Sequence, residues 1–234
     1  MYRCFGKRLL DIVVSLAGLA VLSPVLLLLI LLGAVIMKGN PFFTQIRPGK
    51  DEKLFHLIKF RSMTLEKDEK GRLLPDEKRL TGYGRLLRST SLDELPELIN
   101  ILKGDMSLVG PRPMLVRDMV FMTAEQRRRH TVRAGLTGLA QASGRNGIAW
   151  EDKLARDLEY IERITLLSDL RILWKTALQV IKREGITEEG MATAADLGDY
   201  LLAQGKIDEE TYQAGQMEAE RLLKKEETWK NTAC

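Results

Sequence analysis

Asp93 and Glu94 stand side by side in a segment that runs from Ser89 to Pro113 and ends with Arg112 held between Pro111 and Pro113. Those residue types suit chemistry on phosphate. A carboxylate can attack phosphorus or share a cation, and a guanidinium fork meets two phosphate oxygens at once. The residues alone leave plainer readings open. Ser91 and Glu94 have capping-box spacing, and acids in a first helical turn complement the dipole without any further role. Arg112 by itself could equally be a surface ion pair on a turn. Three neighbours favour phosphate: Arg88 lies just upstream, Pro96 perturbs the helix just downstream, and Gly110-Pro-Arg-Pro follows a single short helix that can return Arg112 to the same end.

The elements that must position these groups form an α-rich α+β mixture with few convincing strands. Alternation over Leu54–Phe60 predicts a strand, and with the run after Pro41 it frames Pro48-Gly49 as a hairpin turn. Residues 65–80 read as an exposed loop. Helices are expected at Leu92–Leu102, Met114–Val120, Ala124–Arg133 and Glu151–Arg183. In the last of these Leu154, Leu158, Ile161, Leu170, Trp174, Leu178 and Ile181 recur at helical spacing. That stripe reads first as core and second as an interfacial face, because Trp174 sits between Arg171 and Lys175.

Upstream, residues 12–37 are 26 apolar or small residues, Ser15, Ser23 and Pro24 among them. That exceeds the ~20 residues a bilayer-spanning helix requires. The run is too long for a signal peptide, and Lys38-Gly-Asn-Pro makes a poor cleavage site. Basic residues flank both ends: Arg3, Lys7 and Arg8 before, then Lys38, Arg47, Lys50, Lys53, Lys59 and Arg61 after. The positive-inside tendency therefore favours both ends on the cytoplasmic face. Pro24 removes a backbone donor near the middle, and each arm, about 16–20 Å at ~1.5 Å per residue, is too short to cross alone. A re-entrant helix broken at Ser23-Pro24 and a proline-kinked span both satisfy these facts. Asp11 is expected to cap the interface or to pair with Arg8.

Net charge is +4 over 234 residues, distributed as +3 over 1–38, +7 over 39–187 and −6 over 188–234. We take these spans as a membrane helix, a basic body that carries the Asp93–Arg112 segment and an acidic helical tail. The basic body suits anionic headgroups or phosphorylated substrates. Cys4 and Cys234 lie far apart in the chain, and the two histidines, His56 and His130, do not make a zinc set. His130, ending Arg127-Arg-Arg-Arg-His, reads as part of a headgroup-facing basic patch, whereas His56 reads as packed. No glycine-rich dinucleotide fingerprint or P-loop occurs, and nucleic acid is not expected as a partner.

The ordered signatures resemble the bacterial sugar transferases, the monotopic phosphoglycosyl transferases. They are Lys59-Phe-Arg-Ser-Met, Arg88, Ser91-Leu-Asp-Glu-Leu-Pro-Glu-Leu-Ile-Asn, Lys103-Gly-Asp-Met-Ser-Leu-Val-Gly-Pro-Arg-Pro and Val132-Arg-Ala-Gly-Leu-Thr-Gly-Leu-Ala-Gln-Ala-Ser-Gly-Arg. The likeness covers residues 1–187 and is nearest to small members with little beyond the catalytic core. Ala134 departs from it, standing where proline is usual before Gly-Leu-Thr-Gly.

The resemblance implies a re-entrant helix broken at the Ser-Pro pair and a compact domain on the cytoplasmic face of the bacterial inner membrane, with interfacial amphipathic helices. It also implies a UDP-sugar donor, a polyprenyl phosphate acceptor and Mg²⁺ held at Asp93 and Glu94. Asp93 would be the nucleophile and Glu94 the group that deprotonates or orients the acceptor. Lys59, Arg88, Arg112 and, more weakly, Arg145 would bind phosphate. A membrane scaffold that recruits later glycosyltransferases without its own turnover is the competing reading. The tail, with expected helices at Ala194–Gly205 and Asp208–Lys225, reads by default as a solvated appendage. Its sharper reading is a docking element for a partner enzyme or a second copy.

Overall fold

The computed structural model describes residues 2–144, 149–182 and 195–232. A short turn at Tyr2–Gly6 leads into α1, Lys7–Ile36, a continuous helix long and apolar enough to cross a membrane. Pro24 lies inside it without ending it, and the local chemistry shows how. The carbonyl of Ala20 loses its usual partner at Pro24, and the hydroxyl of Ser23 donates to it instead at 2.8 Å.

Both arms of α1 rest on the rest of the protein. In the first arm, Arg8 donates to the carbonyls of Ile101 and Leu102 at 2.5 and 2.8 Å. Asp11 is buried and accepts from Ser107 Oγ at 3.0 Å and Leu108 N at 2.9 Å, so it is neither an interfacial cap nor a partner of Arg8. Gly18 faces Leu98. In the second arm, Leu29 is buried with Phe60 and Leu87, and Tyr83 Oη donates to its carbonyl at 2.8 Å. Gly33 approaches Pro41 so closely that an added Cβ would lie 2.9 Å from it. The outward face stays apolar and exposed, including Val13, Leu16, Val21, Leu28, Leu31 and Val35.

β1, Phe42–Pro48, and β2, Leu54–Phe60, pair antiparallel around the expected turn, with Phe42 opposite Phe60 and their rings stacked at 5.4 Å. Residues 65–80 are less open than expected: Met63 bridges Leu80, Lys67 bridges Leu73, and a short helix α2 forms at Asp76–Arg79. α3, Gly82–Thr90, lies against the segment that follows β2; an added Cβ at Gly84 would sit 1.9 Å from the carbonyl of Ser62.

The helix expected over Leu92–Leu102 is broken. Ser91 turns left-handed (φ 56°), Leu92–Glu94 form a tight 3₁₀ turn, and α4 begins only at Glu97, after Pro96, running to Lys103. Two four-residue strands missed by pattern reading, β3 Met106–Val109 and β4 Ala134–Thr137, then pair in parallel. Ala134 therefore opens a strand rather than stiffening a turn. Between these strands come α5, Val116–Met119, and α6, Ala124–Arg127, followed by a 3₁₀ turn at Arg128–Thr131 where a longer helix had been expected. α7, Gln141–Gly144, follows β4.

The helix expected at Glu151–Arg183 is two: α8, Trp150–Glu162, and α9, Leu166–Lys182. Thr165 and Ser168 start the second by reciprocal capping, Ser168 N donating to Thr165 Oγ1 at 3.1 Å and Thr165 N to Ser168 Oγ at 3.0 Å. The apolar stripe splits accordingly. Leu154 and Ile161 are core, while Leu170 and Trp174 are exposed with Leu178 at the margin; Ile172 and Asp169 face inward in their place. Arg183 and the side chain of Ile181 lie outside the described residues.

In the tail, α10 spans Leu197–Ala203 and α11 Glu209–Thr232, with Asp208 capping through Thr211 N at 2.8 Å; Ala194 lies outside the described residues. These helices are not solvated on all sides. Leu197 is buried with Met122 and Leu154, and Ala219 with Val116 and Met119.

Candidate active site

Three segments bring the chemistry together. β2 delivers Lys59 near its end, the 3₁₀ turn after α3 presents Asp93 and Glu94, and the turn after β3 presents Arg112. β4 holds that last turn in place: Gly110 N donates to Thr137 O and Gly135 N to Pro111 O, both at 2.9 Å. The backbones approach so closely that an added Cβ at Gly135 would lie 2.1 Å from Gly110 N. From outside, Arg47 donates to Pro113 O at 3.1 Å and Arg129 to Arg112 O at 2.6 Å.

Glu94 Oε1 receives Lys59 Nζ at 2.8 Å and Arg112 Nη2 at 3.1 Å. Burial works against its charge, but these two cations prevail and hold its carboxyl well below the usual range. Asp93 has the opposite balance. Burial first and the adjacent Glu94 charge second push it up to about 6, with Lys59, Arg112 and Arg88 pulling the other way. The capping explanation of the pair fails, since Ser91 makes no side-chain cap bond.

Lys59 is more committed than its expected phosphate role suggests: it also binds Glu97 at 3.0 Å. Burial opposes its charge, yet Glu94 and Glu97 raise its pKa. Arg112 remains nearly half exposed. Arg88 donates through Nε to Ser62 Oγ at 3.0 Å and reaches Asp93 electrostatically. Ser23 and Pro24 lie within α1, and Arg145 lies outside the described residues.

Glu97 was missed by sequence reasoning. Burial pushes it up to about 7 despite the pull of Lys59. Its signal was present, since it follows Glu94 by three residues, one helical turn later. Arg47, read only as flanking charge, is drawn down to about 10 by burial and by the nearby Arg112. The basic run 127–130 is not a headgroup patch. Arg129 and Asp157 are an almost wholly buried ion pair at 2.7 Å, Arg127 grips Glu52, Arg128 pairs with Glu125, and His130 is buried, with burial lowering it to about 4. No spacing rule links residues 129 and 157.

Among the described residues no three His, Cys, Asp or Glu side chains converge as a metal set. A hard cation held by Asp93 and Glu94 would need further oxygens from a bound substrate. Mg²⁺ usually binds in this way, through one or two carboxylates plus substrate phosphates, so the donor set fits it.

The bacterial sugar transferase family model matches residues 2–183. An uncharacterized sugar transferase of Bacillus subtilis, EpsL, is 47% identical over 80% of this chain and 93% of its own length. The undecaprenyl-phosphate galactose phosphotransferase of Salmonella typhimurium is 38% identical over 77% of this chain. The UDP-glucose:undecaprenyl-phosphate glucose-1-phosphate transferase of Klebsiella pneumoniae is 40% identical over 74%. The chain spans about two fifths of the length of those two relatives, matching 41% and 39% of them. Ordered motifs, a clustered carboxylate and arginine site, and a match over most of the chain agree: this protein belongs to the bacterial sugar transferase family.

Proposed function

We propose that this phosphoglycosyl transferase moves a sugar phosphate from a UDP-sugar to a polyprenyl phosphate, leaving UMP and a polyprenyl diphosphate sugar. The two relatives named for undecaprenyl phosphate support the acceptor class. The observation that carries the mechanism is the split between neighbouring carboxylates. Glu94 is fixed and ionised between two cations, whereas the Asp93 carboxylate has no hydrogen-bond or ion-pair partner among the described residues and is raised to about 6. A carboxylate poorly stabilised by its surroundings, yet mostly ionised at neutral pH, is a competent nucleophile.

Asp93 attacks the sugar-side phosphorus; a new Oδ–P bond forms as the bond to UMP breaks. An oxygen of the acceptor phosphate then attacks the same phosphorus, and the Oδ–P bond breaks to regenerate the carboxylate. Arg112, with Arg88, meets the phosphate oxygens. Glu94 aims Lys59 and Arg112 and orients the acceptor; a group held so far below its ordinary pKa is a poor base. Mg²⁺ at the Asp93–Glu94 pair would neutralise phosphate charge. Both ends of α1 lie on the cytoplasmic face in this reading, as the basic flanks and the contacts of both arms with one catalytic body support.

Incubation of the detergent-solubilised protein with a panel of UDP-sugars and Mg²⁺, without acceptor, tests it. UMP release and a protein mass increase by one sugar phosphate are expected, both absent in Asp93→Asn. A folded Asp93→Asn protein with native turnover removes the covalent mechanism. No UMP release from any donor, with or without acceptor, favours a scaffold.

A further inference from the structure

A second concentration of positive charge surrounds a cavity of about 110 Å³ at the foot of α1. Its walls include Arg3, Lys7, Arg8, Lys50 and Arg133, with Asp11 the one acid among them. Two of these five cations are held in place without being cancelled. Arg8 gives its fork to the carbonyls of Ile101 and Leu102, and Arg133 gives Nε to the carbonyl of Gly104 at 2.7 Å. These are neutral acceptors at the end of α4. Lys7 has Asp169 at 2.7 Å, Lys50 has Asp51 only at 3.9 Å, and Arg3 makes no ion pair among the described residues. With Asp11, Asp169 and Asp51 all set against the five cations, an excess of two positive charges remains.

The rim shows what kind of anion belongs there. Phe5 is 79% and Leu9 65% exposed on the turns that carry Arg3, Lys7 and Arg8, and the apolar face of α1 continues from them. Ile164 lines the cavity, and the exposed Leu166 and Leu167 follow it. A phosphate seated among the guanidiniums would have its attached chains beside apolar surface. Guanidinium pairs pre-aimed by backbone carbonyls suit phosphate oxygens, and basic pockets at membrane helices recognise headgroups.

We propose that this cavity binds the phosphate of an anionic glycerophospholipid and thereby seats the first arm of α1 on the catalytic body. The site is separate from the chemistry. Its Arg8 and Arg133 bond carbonyls at the end of α4, while Glu97 begins that helix beside the catalytic carboxylates; seven residues at ~1.5 Å each place the two ends about 10 Å apart. A lipid phosphate here is thus not the acceptor. The proposal rests on the membrane-bound reading of α1.

Native mass spectrometry of the full chain in dodecyl maltoside, titrated with phosphatidylglycerol or phosphatidylcholine, tests it. One phosphatidylglycerol should be retained in preference to phosphatidylcholine, and Arg3→Ala/Lys50→Ala/Arg133→Ala should weaken its retention roughly ten- to hundredfold. UMP release from the same preparations should be unchanged, which separates failure of this site from failure of the enzymatic reading. Should the triple variant melt early, Arg133→Gln alone decides by the same comparison. Inorganic phosphate at millimolar concentration should compete only weakly with the lipid; displacement at stoichiometric concentrations would make this a site for free phosphate. Equal retention of the two lipids, wild-type retention in the variants, or displacement of phosphatidylglycerol by equimolar polyprenyl phosphate would overturn the proposal.

Discussion

Asp93 and Glu94 differ in proton affinity because Lys59 and Arg112 both reach Glu94 at hydrogen-bonding distance, while Asp93 is left with burial and a like charge beside it. The raised Asp93 has two consequences of opposite sign. Its contribution to stability is full below its ordinary value of 3.8 and is lost as pH rises through about 6. Activity goes the other way, because attack requires the ionised form. In steady-state UMP release between pH 5 and 8, kcat/KM should climb about tenfold per pH unit below pH 6 and then level; a flat profile would argue against Asp93 as the titrating nucleophile. Arg129 offers a different test. It joins buried Asp157 to the carbonyl of Arg112, so Arg129→Met leaves a buried carboxylate unpaired and the arginine turn unsupported. Breaking such a pair costs roughly 3–5 kcal/mol, read as a large fall in melting temperature. A loss of donor affinity in whatever remains folded would show that the pair also positions Arg112.

Elements were legible in proportion to how local their determinants are. The β1–β2 hairpin could be read because alternation and Pro48-Gly49 lie within one short stretch. β3 and β4 could not: four residues each, they pair in parallel across the intervening α5 and α6, and the close approach is marked by glycines at 110, 135 and 138. Helix expectations erred where one residue overrides periodicity, as at Pro96 and at the Thr165–Ser168 cap. The clustering residues Asp93, Glu94, Lys59, Arg88 and Arg112 could be proposed from motifs, whereas Arg129 could not, since its partner is fixed by the packing of α8. For α1, Ser23 compensates locally for the missing donor at Pro24, which explains how the helix persists but leaves its membrane path to experiment. In a Cys4→Ser/Cys234→Ser background, Phe5→Cys and Lys38→Cys should both be labelled only from the cytoplasmic side. Periplasmic labelling at residue 5 would establish a span. Adding Pro24→Ala should convert a fraction of molecules to periplasmic labelling, because the straightened arms together are long enough to cross.

Across the whole molecule, the tail is joined to the body by contacts that converge on the segment following Arg112. Phe121 lies between Gly198 and Gly215, where added Cβ atoms would come within 2.5 and 2.4 Å of its ring, and it stacks on Tyr212 at 5.9 Å. Asp118 accepts from Leu115 N through one oxygen and from Leu197 N through the other, at 2.9 and 3.0 Å. Arg117 pairs with Asp196 at 2.7 Å, and Leu222 and Leu223 pack on the same Val116–Met119 cluster as Ile46 and Leu54 of the β1–β2 hairpin. The tail thus spans the two segments that carry Arg47 and Arg112, though the family match ends at residue 183. Removal of residues 188–234 would uncover Phe121, Val116 and Met119 and strip Asp118 of a bond. Exposing each large apolar side chain costs about 1.5–3 kcal/mol, so a marked drop in melting temperature is expected, with weaker donor binding as the Pro111–Pro113 turn loosens. Gly215→Leu tests the same contact without deletion: overpacking against Phe121 should cost ~1–3 kcal/mol and lower UMP release in the same direction. A truncated protein with unchanged melting temperature and turnover would mean that the contacts seen here contribute nothing to the catalytic body.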